Sequence, residues 1–285
     1  MNPSGLTALF ETGPAETSMP EHLRRIAHAA LSLSESAFLK HYRHGRFRVW
    51  NGVAMTGSEL PGPGFNFAAC LDPTPPLDEF LPVAREFFAH AEQGWGVLVE
   101  GDAGHSIEAE VKARGWVVAE DEPAFVLLSL PSPVGGEGSG VRGGPATGLV
   151  IRQVQSEPDR KTFQLIAMTA FETTAEFAEL IMPNLGFVTD PAMYWAIGEA
   201  NGEPVSVGGF YVSGPTAVIC CLATLPGHRG QRYGASLTRH LFDEAVARGC
   251  RHAALRSGPK SVPLYERLGF RYVCQHRTYA APPVS

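Results

Sequence analysis

A glycine-rich loop is the feature that most constrains how this chain can fold. The apolar run 217–222 predicts a strand, and the loop 223–235 (ATLPGHRGQRYGA) follows it directly. Leu237 and Leu241 then recur on one face of a helical pattern. A strand that leads through glycines into a helix N-terminus exposes backbone N–H groups at the positive end of the helix dipole. We therefore predict an anion site here, with a pyrophosphate as the expected guest.

Two well-known phosphate loops do not fit this segment. A P-loop needs Gly-Lys-Ser/Thr, which is absent. The dinucleotide fingerprint needs the spacing Gly-x-Gly-x-x-Gly and an acidic residue about twenty positions on, and Gly230 and Gly234 do not provide this spacing. The order Arg-Gly-x-x-Tyr-Gly-Ala instead resembles the coenzyme A loop of the GNAT acyltransferases. Arg229, Gly234 and Ala235 match the family pattern Arg/Gln-x-x-Gly-x-Gly/Ala, and Arg232 stands where the family usually has Gly.

A second motif follows at the family's spacing. Residues 264–270 read Leu-Tyr-Glu-Arg-Leu-Gly-Phe and are similar to the GNAT signature Leu-Tyr-x-x-Leu-Gly-Phe. Gly269 is suited to end a short helix in the left-handed conformation, after which Phe270 begins a strand. A helix over 234–248 and a strand over 252–255 are predicted between the two motifs. Both motifs, in this order, carry the resemblance to a GNAT domain.

A linker divides the chain. Residues 131–148 are so rich in Gly, Pro and Ser that they bury too little apolar surface to offset chain entropy. Residues 149–285 read as strand, two helices, three strands, helix, strand, helix, strand, which the resemblance makes a complete GNAT domain. The predicted elements outside the motif region are strand 149–154, helices 158–170 and 175–182, and strands 193–199, 204–212, 217–225 and 271–279. We expect an α/β fold with a mixed sheet, built as two tandem GNAT-like domains.

The first half resembles a degenerate repeat of the second. Its predicted elements are a strand over 47–54, a helix over 80–93, a strand over 96–99, a helix over 106–114 and a closing strand over 125–130. Gly94 and Gly115 end the two helices at nearly the spacing of Gly249 and Gly269 in the second half. The two halves therefore follow one order of elements.

The first half lacks the residues that carry chemistry in the second. Val111 stands where Tyr265 does, Trp116 stands where Phe270 does, and no Arg-Gly loop precedes the first helix. Residues 1–130 are accordingly predicted to be a degenerate, non-catalytic GNAT-like domain. An unrelated α+β domain with coincident glycines is the alternative.

Composition limits the classes of function. The chain has 285 residues, a net charge of -6, 44% hydrophobic and 18% charged residues, which suits two ordinary domains and argues against nucleic acid as the main partner. No signal peptide and no apolar run of membrane-spanning length are evident. The five cysteines include no Cys-x-x-Cys and suggest neither disulfides nor zinc. We expect a cytoplasmic protein without metal, nucleic acid or membrane as partner, and a homodimer is left open.

The resemblance implies a mechanism and a set of site residues. Acetyl-CoA would be the co-substrate, and the amine of a small molecule or peptide would attack it directly in a ternary complex. Tyr265 is the implied donor of a proton to the leaving thiolate. The strand before the loop would splay from its neighbour, so that Leu222, Ala223 and Thr224 contact the acetyl group and pantetheine through their backbone. The pyrophosphate would be held by the loop residues Arg229, Gly230, Gln231, Arg232, Tyr233, Gly234 and Ala235.

No general base stands out in the sequence. An alkylamine with a pKa near 10 is neutral only about one time in a thousand at pH 7, so its proton must be removed. Many relatives place a carboxylate on the central strand, but residues 217–222 contain none. Glu172, Glu176 and Glu179, on the helices expected to cover the acceptor side, are the candidates, and a water chain is equally open.

Two cysteines and several large apolar residues bear on the same site. Cys220 and Cys221 raise the alternative of a covalent mechanism, but adjacent strand residues point to opposite faces, so at most one would reach the site. A buried apolar role is favoured for them. The residues expected to flank an acceptor pocket are Phe171, Phe177, Met182, Phe187 and Trp195.

Two other functions stay open. A CoA-binding sensor or scaffold without transfer activity is supported by Arg232 and by the missing carboxylate, while the intact Tyr265 motif weighs against it. A GNAT-fold decarboxylase of an acyl thioester would need no base for an amine.

Overall fold

The computed structural model describes residues 21–33, 39–42, 44–71, 74–89, 91, 94–101, 106–131 and 148–282. The predicted linker 131–148 lies almost entirely outside these residues. The helices are α1 (Glu21–Leu33), α2 (Leu77–Phe87), α3 (Ser106–Ala113), α4 (Glu157–Phe171), α5 (Ala175–Ile181), α6 (Leu185–Val188), α7 (Tyr233–Ala247) and α8 (Val262–Arg267). The strands are β1 (Arg46–Trp50), β2 (Val53–Gly57), β3 (Phe67–Cys70), β4 (Gly96–Glu100), β5 (Val117–Leu127), β6 (Leu149–Gln153), β7 (Met193–Ala200), β8 (Glu203–Ser213), β9 (Thr216–Thr224), β10 (His252–Arg256) and β11 (Arg271–Ala280).

All eleven described strands form one mixed sheet, in the order β1-β2-β3-β4-β11-β5-β10-β9-β8-β7-β6. Most pairs are antiparallel, and the β3–β4 and β9–β10 pairs are parallel. The predicted α/β class with a mixed sheet is confirmed. Of the described helices, none is long and apolar enough to cross a lipid bilayer.

The two halves exchange their last strands. β5, from the first half, pairs with β10 of the second half, while β11, from the second half, pairs with β4 of the first. β5 and β11 then pair with each other over most of their length. The prediction that a strand over 125–130 closes the first half was therefore wrong. The strand is β5 (Val117–Leu127), and it pairs with β10 of the second half.

A hairpin replaces the single strand predicted over 47–54. Asn51 and Gly52 have φ values of 41° and 78°, the left-handed conformations that a two-residue turn between antiparallel strands requires. The turn pairs Trp50 with Val53. The Asn-Gly pair is the strongest local hairpin signal, and the prediction passed over it.

The repeat of elements between the halves is present in the structure. Gly94, Gly115, Gly249 and Gly269 all have φ between 73° and 89°, a conformation that favours glycine. The last three follow closely on the ends of their helices, whereas Gly94 lies well beyond the end of α2. The backbone N–H of Trp116 donates to Val111 O at 3.1 Å, and Phe270 N–H donates to Tyr265 O at 3.0 Å. The first helix of that pattern is shorter than predicted, since α2 ends at Phe87. Helices α1 and α6 and strand β3 were not predicted.

The helices cover the two faces of the sheet. α7 and α8 pack on one face, where Phe210, Leu241 and Phe270 belong to one apolar cluster. On the other face α1, α4, α5 and α6 share a second cluster that contains Leu31 and Phe163. α1, from the first half, contacts β9 and β10 of the second half. The first half thus contributes a helix directly over the central strands of the second.

Candidate functional site

A cleft opens between two parallel strands of the second half. β9 and β10 pair only from Thr216–His252 to Val218–Ala254. Beyond that point β10 continues to pair with β5 on its other side, through Leu255 and Arg256. The remaining length of β9 has β8 as its ladder partner and no ladder pair to β10. The predicted splay of the central strand is therefore observed.

A bulge lies where the strands part. Cys221 has a φ of 52°, and the β8–β9 register shifts between the pairs Val207–Ala223 and Gly209–Cys220. A bulge breaks the alternation of side chains along a strand. The expectation that Cys220 and Cys221 face opposite sides was wrong for that reason: both pack against the apolar cluster on the α4 face. A hydrogen bond from Cys220 also lowers the pKa of the Cys221 thiol.

The residues predicted to contact pantetheine follow the bulge. Ala223 pairs with Val207 and Thr224 pairs with Ser206, so β8 holds this edge in extended form. Leu222 is the residue at the register shift, and its side chain lies close to Gly208, where an added Cβ would come within 2.8 Å of it. Leu222, Ala223 and Thr224 thus line the side of β9 that faces the cleft without a strand partner.

The start of α7 has the features of an anion site. The first intrahelical hydrogen bond runs from Ser236 N–H to Arg232 O, and Arg232 makes no side-chain cap. The N–H groups of Tyr233, Gly234 and Ala235 are therefore left for an external acceptor. Gly230, with φ of 80°, has no heavy atom within 4 Å of an added Cβ, so this side of the loop is open. These residues fit a phosphate group.

Arg232 occupies a conformation that favours glycine. Its φ of 65° and ψ of 10° are left-handed, and an L-residue with a Cβ adopts this conformation at a cost of about 1–2 kcal/mol. The departure from the family's Gly therefore leaves the helix start in place, at a cost in backbone strain. The exposed Arg232 side chain adds a positive charge beside the free N–H groups.

Two further loop side chains have partners within the protein. Arg229 donates from Nε to Thr224 O at 3.2 Å and from one terminal nitrogen to Ala170 O at 3.1 Å, which ties the loop to the end of α4. Tyr233 donates its hydroxyl to Gln231 Oε1 at 2.9 Å. The Arg229 guanidinium thus positions the loop against α4.

Tyr265 lies buried on α8. Its ring packs edge-on against Phe270, with the centroids 5.7 Å apart, and its side chain is only 6% exposed. Burial, together with the nearby Cys220, raises the pKa of Tyr265 to about 12. The phenol therefore stays protonated at neutral pH, as a proton donor must, and it lies beside the bulge.

Two of the three glutamates considered as bases have surroundings that lower their pKa. Hydrogen bonds to its own backbone N–H and to Thr174 lower the pKa of Glu176. A hydrogen bond from Arg160, at 3.0 Å, lowers the pKa of Glu179. Glu172 is the exposed, left-handed residue after α4. A lowered pKa weakens a carboxylate as a base, so the geometry does not select any of the three.

Three of the five residues expected at an acceptor pocket meet at a cavity. Phe171, Phe177 and Met182 line a space of about 150 Å³ between α4 and α5. Phe187 and Trp195 instead stack on each other in the core, with ring centroids 5.4 Å apart. The prediction thus mixes pocket residues with core residues, because helical and strand spacing alone does not separate the two.

In the first half, a histidine fills the equivalent of the cleft. β3 and β4 pair only as far as Ala69–Leu98. His28, from α1, bonds to Cys70 O and to His276 at the point where the pairing stops. Sequence reasoning missed this arrangement because α1 was not predicted.

A histidine–aspartate pair was also not predicted from the sequence. His41 Nε2 lies 2.7 Å from Asp190 Oδ2, and Lys40 Nζ lies 2.6 Å from the same oxygen. The buried Asp190 therefore joins the two halves, and it also accepts a hydrogen bond from the Ala192 N–H. In the described residues, no group of three or more metal-ligating side chains is found.

Splayed parallel strands, a helix start without a side-chain cap and a buried tyrosine on α8 together form the candidate site. Residues 155–270 match the family model of the acetyltransferase (GNAT) family. This segment is similar to GNAT acetyltransferase domains, and the fold of the chain is that of tandem GNAT proteins.

Solved structures agree with this fold over nearly the whole chain. A GCN5-related N-acetyltransferase from Kribbella flavida has a TM-score of 0.66 and 18% identity, covering 91% of this chain and 96% of its own. A tandem GNAT protein from the clavulanic acid biosynthesis pathway has a TM-score of 0.55 and 14% identity, covering 98% and 93%. A GCN5-related N-acetyltransferase from Sphaerobacter thermophilus has a TM-score of 0.53 and 13% identity, covering 95% and 96%. At these identities the likeness is one of fold. A comparison with curated protein sequences finds no match.

Proposed function

We propose that the second half transfers an acyl group, acetyl in the first instance, from coenzyme A to the amine of a small molecule or peptide. The observation that carries this is the parting of β9 and β10 after Val218–Ala254, next to the uncapped start of α7. Together they offer an extended strand edge for pantetheine and an anion cradle for pyrophosphate. Membership of residues 155–270 in an acetyltransferase family supports acyl transfer in general.

Loop and strand have separate roles in this proposal. The N–H groups of 233–235, together with Gly230, Gln231 and the cations of Arg229 and Arg232, hold the pyrophosphate. The edge of β9 at 222–224 pairs with the pantetheine amides. Backbone N–H groups at the bulge are placed to stabilise negative charge on the thioester oxygen when the amine attacks. The thioester itself supplies an activated acyl group.

Proton movement involves Tyr265 and solvent. Burial keeps the Tyr265 phenol protonated, and it donates this proton to the departing thiolate. β9 contributes no carboxylate, and Glu176 and Glu179 have lowered pKa values. We therefore assign removal of the amine proton to water in the cleft. Direct attack in a ternary complex needs no covalent role for Cys221.

The first half is proposed to be catalytically silent. His28 takes up the gap beside Cys70 where a thioester would otherwise lie, and α1 extends over β9 and β10 to shape the acceptor side. The proposed division is a degenerate domain over 1–130, a linker over 131–148 and a catalytic domain over 149–285. The cytoplasm as location and a homodimer as assembly stay predictions.

A non-catalytic CoA sensor is the second candidate. Two observations favour it: Arg232 stands in a left-handed conformation at the position where the family usually has Gly, and β9 contributes no carboxylate as a base for the amine. The buried phenol of Tyr265, whose raised pKa keeps it protonated at neutral pH, favours transfer.

One experiment decides between the two. The protein is incubated with acetyl-CoA and a panel of amines, free thiol release is followed, and CoA binding is measured by calorimetry. We expect amine-dependent thiol release, which Gly234→Trp abolishes together with CoA binding. Gly227→Ala is the control, since an added Cβ there meets no atom within 4 Å. CoA binding without thiol release for any amine favours the sensor, and unchanged affinity in a folded Gly234→Trp variant refutes the proposed cradle.

A further inference from the structure

The cavity between α4 and α5 has a size that suits one apolar group. Its volume is about 150 Å³, and its walls include Phe163, Ala167, Met168, Phe171, Phe177 and Met182. A cavity of about this volume lined by apolar side chains is large enough for a benzene ring. A phenyl ring or a chain of about six carbons therefore fills it.

Two polar side chains at or beside these walls, Gln164 and Arg160, are hydrogen-bonded within the protein. Gln164 Nε2 donates to Ala178 O and to Met182 O, both at 3.1 Å. Arg160 also donates to Met182 O, at 2.6 Å, and pairs with Glu179. The amide nitrogen of Gln164 is thereby occupied, and the walls offer a guest mainly apolar contact. A charged or strongly polar guest would lose its hydration without compensation.

An apolar cluster connects the cavity to the proposed transfer site. Ala167 and Met182 belong to the same apolar cluster against which Cys220 and Cys221 pack at the bulge. At the other end, Ala170 O, next to Phe171 on the rim, accepts the hydrogen bond from Arg229 of the coenzyme A loop. Phe171 is half exposed, so the rim opens to solvent. The cavity lies on the α4 face of the sheet, opposite α7 and the anion cradle.

We infer that this cavity binds the apolar group of the acceptor, so that the substrate class is an amine carrying a phenyl ring or an alkyl chain of about six carbons. The acceptor role rests on the proposed function, whereas binding of an apolar group in the cavity does not. The ammonium end of such an amine lies toward the bulge, while its apolar end lies between α4 and α5. The acyl chain of a longer acyl-CoA is also apolar and could fill the cavity instead. The comparison of acetyl-CoA with hexanoyl-CoA distinguishes this case.

A matched pair of variants tests the site. Ala178→Leu fills the cavity from a residue that is 4% exposed, whereas Ala175→Leu makes the same change at an exposed position on α5 outside the lining. Binding of ethylamine, butylamine, hexylamine and phenethylamine to the full chain is measured by calorimetry, and thiol release from acetyl-CoA by the same amines is measured in parallel. A further arm compares acetyl-CoA with hexanoyl-CoA.

In the parent and in Ala175→Leu, we expect affinity to rise about fourfold for each methylene added, up to about six carbons, because each buried methylene contributes about 0.8 kcal/mol. In Ala178→Leu the affinity for hexylamine should fall to that for ethylamine. If Ala178→Leu does not fold, Phe171→Ala, at the half-exposed rim, is expected to reduce the preference for phenethylamine.

The failures of the two proposals are distinct. Equal affinity for ethylamine and hexylamine in the parent overturns the cavity assignment, even if thiol release shows that acetyl transfer occurs. Chain-dependent binding that Ala178→Leu removes supports the cavity, even if no amine releases thiol and the proposed transfer fails. Loss of hexanoyl-CoA use in Ala178→Leu, with amine preference unchanged, assigns the cavity to the donor and overturns the acceptor assignment.

Discussion

His28 Nε2 donates a hydrogen bond to the backbone oxygen of Cys70 at 2.9 Å, one residue beyond the last β3–β4 pair. A carbonyl only accepts, so this bond places the His28 proton on Nε2. His28 Nδ1 then accepts from His276 Nε2 at 2.9 Å, and the buried His276 Nδ1 has no hydrogen-bond partner among the described residues. Both imidazoles are therefore neutral in the folded protein.

This pair predicts a loss of stability in mild acid. Burial lowers the pKa of His28 from 6.5 to about 4 and lowers that of His276 well below its usual value. The unfolded chain binds protons below pH 6.5, whereas the folded chain does not. The stabilisation is complete above pH 6.5 and falls as the pH drops toward 4, by about 1.4 kcal/mol per pH unit for each histidine. Urea unfolding at several pH values measures this slope.

His28→Gln provides the comparison. Its slope between pH 6.5 and 4 should be smaller than that of the parent by about 1.4 kcal/mol per unit, while the two proteins should show equal slopes between pH 7.5 and 9. An unchanged slope in the acid range would mean that His28 does not stay neutral.

Tyr265→Phe tests the proton donor. The variant keeps the ring against Phe270 and removes only the hydroxyl, so CoA affinity should hardly change. Turnover should fall by about 10²–10⁴, the range typical of general acid–base groups. Steady-state kinetics and calorimetry measure the two quantities. Turnover within about threefold of the parent would assign the proton to water, and loss of affinity alone would assign Tyr265 a packing role.

Arg232→Gly tests the strain at the start of α7. Glycine adopts the left-handed conformation without a Cβ clash, so we expect an increase of about 0.5–1 kcal/mol in the free energy of unfolding. Arg232→Ala removes the same charge but keeps the Cβ, and should show no such gain. Denaturant unfolding of both variants separates strain from charge. Equal stability of the Gly and Ala variants would contradict the strain argument.

Tyr279→Ala tests the strand exchange. Tyr279 is 1% exposed, packs in the core of the first half with Phe80, and donates its hydroxyl to Glu108. Its loss should reduce the free energy of unfolding by about 3–5 kcal/mol. Hydrogen exchange should accelerate in β4 and α3, which belong to the first half.

Tyr272→Ala is the matched control on the same strand. Tyr272 is 46% exposed, so we expect a cost below about 1 kcal/mol and unchanged exchange in the first half. If hydrogen exchange in the Tyr279→Ala variant became faster only in the second half, β11 would not stabilise the first half.

The sequence predicted those features that depend on neighbours along the chain. The order from β6 to β11, the glycine stops and the loop before α7 follow from periodicity and from residues that favour left-handed conformations. The strand exchange could not be predicted in this way, because nothing in the sequence of β5 shows that its partner is β10 and not β4. The bulge was equally hidden, since its left-handed residue is Cys221 and not a glycine.

In the candidate site, too, the local features were predicted and the long-range contacts were not. The placing of Tyr265 and of 229–235 follows from two contiguous motifs, whereas Arg229 contacts Ala170 across 59 positions of the chain. The His28–His276 contact spans 248 positions. Such contacts are a property of the tertiary fold, and a single sequence carries no direct signal for them.

The exchanged strands also govern the order in which the protein is able to fold. β4 pairs with β11, which is the last of the described strands to be synthesised. One edge of β4 therefore stays unpaired until the ribosome has made β11. Sheets that depend on such distant pairings fold slowly, and open edges invite association with other chains. Cotranslational folding of this protein should therefore stall with the first half incomplete, and chaperones that shield strand edges should raise its yield.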